Sequence, residues 1–189
     1  MTEVDRDFIF LTFALHEGSR ALSALDEIDQ LLATRIQRQP GVEVRENQRV
    51  FDAIRSALQF ASNVSKVFWP HSNAKERGGK LRALCKLPAR HTLSDRRLRN
   101  HIEHMDERLE DWTGNSLRPF LTFELVLYRD YAQERRAEII GATAVVYDEG
   151  ANTVLLFGDA FSLTNLRAAV VDVQEHVGRG LETVMDGWG

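Results

Sequence analysis

"IIGATAVVYDEGANTVLLFG", residues 139–158, decides the fold class. Two apolar, β-branched runs, 139–147 and 152–158, flank the turn-forming "DEGA". That grammar predicts a β-hairpin. The chain on either side has a different period. Downstream, Leu166, Ala169, Val170, Val173, Val177, Leu181 and Val184 recur at helical spacing and predict a C-terminal helix from about residue 162. Upstream, "FLTFELVLY" (120–128) reads equally as a strand or a buried extended segment.

Further toward the N-terminus the pattern is helical. Phe8, Leu11, Leu15, Leu22, Leu25, Ile28 and Leu32 mark one face of a long helix over 6–35, interrupted only by Gly18. Pro40-Gly41 predicts a turn. A second long helix follows over 44–68, with Val50, Ile54, Ala57, Leu58, Ala61, Val64 and Phe68 inward. "WPHSNAKERGG" (69–79) reads as a polar connection, and "KLRALCKL" (80–87) as a short helix closed by Pro88. Thr92 with Asp95 has capping-box form, with Ser94 a competing cap, so a third major helix should begin near 94. It should run through "LRNHIEHMDERLEDW" (98–112) and end at Gly114 in a left-handed conformation.

The expected architecture is therefore mainly α. It is an antiparallel bundle of four or five helices with a β-hairpin inserted before the C-terminal helix. One domain spans 1–189, with its helical core at about 5–113 plus 162–186 and its hairpin region at about 120–160.

Composition bounds the function. The 189 residues include one cysteine, Cys85, which has no internal partner and reads as a structural thiol suited to a reducing compartment. The N-terminus is acidic before a short apolar run, unlike a secretory signal, and no apolar stretch reaches membrane-spanning length. A cytoplasmic location and no membrane partner are the expectation. The net charge is −4, but ten basic residues against Glu76 and Asp95 give residues 66–101 a charge of +8 and leave −12 elsewhere. Such a segment either focuses field on an anionic ligand or pairs with the acidic remainder.

Within the third major helix, Arg99, Asn100 and His104 form the candidate site. Asn100 and His104, four apart, share a face, and a curled Arg99 side chain can reach a common phosphate. Histidine exchanges protons near neutral pH, arginine presents a fixed fork to phosphate oxygens, and asparagine can orient either. Together they suit metal-independent phosphodiester cleavage. Arg96 and His101 repeat the Arg–His spacing, but only Arg99 is followed by asparagine. A metal site fits poorly: His101 and His104 are three apart, whereas a zinc-protease helix needs four. The plainest alternative is a solvated face, with Arg99–Glu103 and His104–Arg108 as ordinary i,i+4 pairs.

"LRNHIEHMDERL" resembles the Arg-(polar)-x-x-x-His motif of the HEPN superfamily, helical domains that often act as metal-independent ribonucleases. The resemblance implies that Arg99 binds phosphate, Asn100 supports it, and His104 is the acid/base group. It implies RNA as substrate, with Arg96, Arg97, Lys80 and Arg82 as further phosphate contacts, and neither metal nor cofactor. It also implies a homodimer with a composite site at the interface, and a toxin–antitoxin or phage-defence setting with a neutralising partner protein. The alternative within the same family is a catalytically inactive interaction or scaffold module that binds a partner protein or nucleotide.

Overall fold

Three long helices form the frame because each carries an unbroken apolar face. In the computed structural model, which describes residues 3–34, 42–115, 122–129 and 136–186, these are α1 (Glu3–Ala33), α2 (Val42–Phe68) and α7 (Leu163–Asp186). Helix α1 packs most extensively on α2 and then on α7. The predicted inward residues Leu11, Leu25, Ile28, Val50, Ile54, Ala57, Ala61, Val64, Val170, Val173 and Val177 are all buried in one core. The Pro40-Gly41 turn lies outside the described residues.

Gly18 does not interrupt α1. A Cβ there would meet Gln174 of α7 at 2.7 Å. The missing side chain lets the Gln174 amide donate to the Leu15 carbonyl and the Ser19 hydroxyl, both at 3.0 Å.

The "polar connection" is largely helical. A single 3₁₀ turn (Ser72–Ala74) leads into α3 (Lys75–Cys85), which takes in both Gly78 and Gly79. Helix α3 ends not at Pro88 but at Lys86, whose left-handed backbone (φ 56°) turns its N–H onto the Ala83 and Arg82 carbonyls.

A second 3₁₀ turn (Thr92–Ser94) is held by a capping box between His91 and Ser94. Asp95 alone then caps α4 (Arg96–Glu103), its carboxylate accepting from the Arg97 N–H at 2.9 Å. The expected Thr92–Asp95 box is not formed. Nor is the helix continuous, because it bends at His104 (φ −127°, ψ 43°) and resumes as α5 (Met105–Asn115). The His104 N–H still reaches the Asn100 carbonyl, and the Arg108 N–H reaches that of His104, both at 3.0 Å, so the break is a one-residue bend. Helix α5 continues through Gly114, which is not left-handed.

The hairpin belongs to a four-stranded mixed sheet in the order β1-β2-β3-β4. Strands β2 (Thr143–Asp148) and β3 (Thr153–Leu156) are the expected antiparallel pair. Strand β4 (Asp159–Ser162) extends it, and β1 (Thr122–Leu127) lies parallel to β2. Residues 139–141 are helical rather than extended, within α6 (Arg136–Gly141), which stands between the two parallel strands in sequence. A parallel pair needs such a crossover.

Strand β2 is buried from Thr143 to Tyr147 because both faces are covered. Val126, Val145, Tyr147, Val154 and Leu156 join the main core. Leu127 and Val146 pack with Ile139 of α6 on the other side. The chain is thus mainly helical, with a small mixed sheet before its C-terminal helix.

Candidate functional site

Helix α4 divides its polar residues between the interior and the surface. Arg99 is only 5% exposed, and its Nη1 donates to the Trp69 carbonyl at 3.3 Å. His104, five residues on and at the bend itself, has a half-exposed imidazole whose Nδ1 lies 3.5 Å from Glu107. Asn100 is half-buried between them. Glu103 stands close to both. Its carboxyl is held below the usual range chiefly by a hydrogen bond from Lys66 (2.5 Å), with smaller contributions from the charges of Arg99 and His104.

His101 is the more embedded histidine. It is 3% exposed, its Nε2 lies 2.6 Å from the Asp159 carboxylate of β4, and its ring packs against Phe157 and Phe161. The sequence shows His101 only as a neighbour of His104; its partner lies 58 residues away on an edge strand.

The basic segment has a physical destination that its composition does not reveal. A helix C-terminus leaves its last carbonyls without intrahelical donors and carries partial negative charge. At the end of α2, Arg77 Nη2 donates to the Lys66 carbonyl (3.3 Å), Arg82 Nη1 to that of Phe68, and Arg99 to that of Trp69 just beyond the helix. Three arginines from α3 and α4 thus close one helix end. The Arg77 guanidinium also lies 4.3 Å over the Phe10 ring, and burial pushes its pKa down. Lys66 is paired with Glu103, and Arg97 binds Asp95 through Nε (3.0 Å) and Nη2 (2.7 Å).

Of the further phosphate contacts expected, Arg82 is therefore committed to a carbonyl and Arg97 to a carboxylate. Arg96 and Lys80 are exposed. Among the described residues, no group of three or more His, Cys, Asp or Glu side chains converges as a metal site would require.

Next to Arg99 lies a pocket of about 150 Å³, between α2, the turn before α4, and the start of α7. Leu58, Ala61, Leu93, Leu98, Phe161 and Leu166 supply its apolar wall. Its polar wall includes Arg99 and Ser62, the latter 2% exposed with a hydroxyl that has no hydrogen-bond partner among the described residues. Ser65, also on the wall, donates to the Leu93 carbonyl at 2.6 Å.

Comparison with protein-family models, curated proteins and solved structures returned no match to this chain. Among the described residues, no helix is long and apolar enough to cross a membrane.

Proposed function

We propose that this chain is a non-catalytic binding module of the HEPN-like kind, in which Arg99 serves the interior rather than an RNA phosphate. One observation carries the reading: the Arg99 guanidinium is buried and engaged with the end of α2, while His104 stands at the surface at the bend between α4 and α5. A phosphodiester-cleaving pair must meet at one phosphate, within hydrogen-bond reach of both groups. Here Lys66 and Glu103 are already ion-paired beside both candidates, so Lys66 offers no free positive charge to a phosphate shared by Arg99 and His104.

The ribonuclease reading retains one specific support, since Glu103 feels both Arg99 and His104. A composite site of that kind would require Arg99 to leave the Trp69 carbonyl.

RNA incubated in EDTA with the wild-type protein and with His104→Ala separates the two. The binding-module reading expects intact RNA in both reactions. Cleavage by the wild type that His104→Ala abolishes would overturn it and restore the composite ribonuclease site.

A further inference from the structure

The geometry points to the pocket beside Arg99 as a binding site for a small monocarboxylate with an apolar body, its carboxylate on the Arg99 fork. The inference rests on the reading of Arg99 as an inward-facing binding group.

Size comes first. A cavity of about 150 Å³ with an apolar lining is large enough for benzene, so this pocket has room for a ring or a short branched chain. A nucleotide is too large for it. Charge comes second. Arg97 and Arg99 face one carboxylate, Asp95, and Asp95 is held by Arg97 through two side-chain bonds. Glu103, the other carboxylate whose charge reaches Arg99, is paired with Lys66, so one positive charge is left over, that of Arg99, and a single negative charge balances it. A strongly hydrated phosphate dianion would be doubly charged beside six apolar side chains.

Donor geometry comes third. Arg99 spends Nη1 on Trp69, and its Nε and Nη2 groups have no partner among the described residues. A guanidinium fixed at one nitrogen keeps a pair of parallel donors, the arrangement that a planar carboxylate accepts bidentately. The Ser62 hydroxyl, without a partner among the described residues, is a further group to which a bound oxygen would supply a hydrogen bond.

Isothermal titration and thermal melting of the full chain test this with three probes: benzoate, benzyl alcohol and inorganic phosphate. Benzoate should bind saturably at one site per chain and raise the melting temperature. Benzyl alcohol, with the same ring and no charge, and phosphate, with charge and no apolar body, should do neither at equal concentration.

Arg99→Met keeps the length and apolar stem and should weaken benzoate by about tenfold or more, the worth of a charge-assisted hydrogen bond. Ala61→Leu, which narrows the pocket and leaves the guanidinium in place, should weaken it likewise. If either variant fails to fold, the wild-type comparison decides alone. The assignment is overturned if benzoate does not saturate by about 10 mM, if benzyl alcohol or phosphate matches it, or if a folded Arg99→Met binds benzoate unchanged. RNA cleavage is scored separately. A chain that neither cleaves RNA nor binds benzoate would lose this ligand and keep the non-catalytic reading.

Discussion

At the scale of the residue, the arginines are explained by what accepts from them. Arg77, Arg82 and Arg99 donate to the carbonyls of Lys66, Phe68 and Trp69, at and just beyond the end of α2. These are charge-assisted bonds to groups that the helix itself cannot satisfy. Removing a donor strands a carbonyl, so Arg82→Met should destabilise the fold by about 1–3 kcal/mol in denaturant titration. Arg96→Met, at an exposed position on the same basic segment, should stay within about 0.5 kcal/mol. Equal effects would mean that the arginines act by bulk charge and not by capping.

His91 makes a second case. Its Nδ1 accepts from the Leu93 N–H at 3.1 Å, its Nε2 faces Asp172 at 3.2 Å, and its ring stacks on Trp69 at 5.0 Å. The neutral tautomer with hydrogen on Nε2 satisfies both contacts, whereas a proton on Nδ1 would break the first. Burial lowers the His91 pKa, and this outweighs the opposing pull of Asp172. A histidine whose folded pKa is depressed stabilises the fold above its unfolded value of about 6.5, and that stability is lost as pH falls toward the folded value. Stability should therefore decline below pH about 6.5, and His91→Gln should flatten part of the decline.

The sequence displays these donors but not their acceptors. The carbonyls involved are backbone atoms of residues 11, 14 and 30 positions away, and any residue type carries one. That is why Arg99-Asn100-x-x-x-His104 was legible as a motif while the direction of Arg99 was not.

At the scale of the element, two adjacent glycines in α3 play opposite parts. A Cβ on Gly78 would fall 2.4 Å from Pro70 Cδ, just beyond α2, and 2.8 Å from the carbonyl oxygen of Phe68, its last residue. Gly78 is thus a contact surface, and α3 can lie against α2 only without a side chain there. On Gly79 the nearest atom would be Arg82 Nη2 at 3.9 Å, an ordinary contact. Gly78→Ala should therefore cost about 1–3 kcal/mol through overpacking. Gly79→Ala should stabilise by as much as about 1 kcal/mol through helix propensity. Paired thermal melts check the difference in sign, and two changes of the same sign would refute the packing argument. Sequence alone reads "WPHSNAKERGG" as a polar connection, because propensity weighs each glycine equally and the approach of Pro70 to Gly78 is visible only in the fold.

At the scale of the whole molecule, periodicity carried as far as each element's own face. The long helices were legible because their inward residues recur every three or four positions. The parallel pairing of β1 with β2 was not, since its partners, such as Val126 and Tyr147, are brought together by a crossover that no local pattern encodes.

Cys85 reports how tightly the assembled frame closes. It is 1% exposed at the end of α3, and a Cβ built on Gly180 of α7 would meet its sulfur at 2.6 Å. Burial, reinforced by the Asp7 charge on α1, pushes the thiol up to about 12, so little thiolate exists at neutral pH in the folded chain. Helices α3 and α7 thus close over one sulfur, and exposing it requires them to part. The rate of Cys85 modification by a disulfide reagent at pH about 8 should accordingly be slow in the native protein. It should rise with denaturant along the slope of global unfolding. A rate independent of denaturant would show that α3 opens by itself, leaving the α1–α2–α7 frame closed without it.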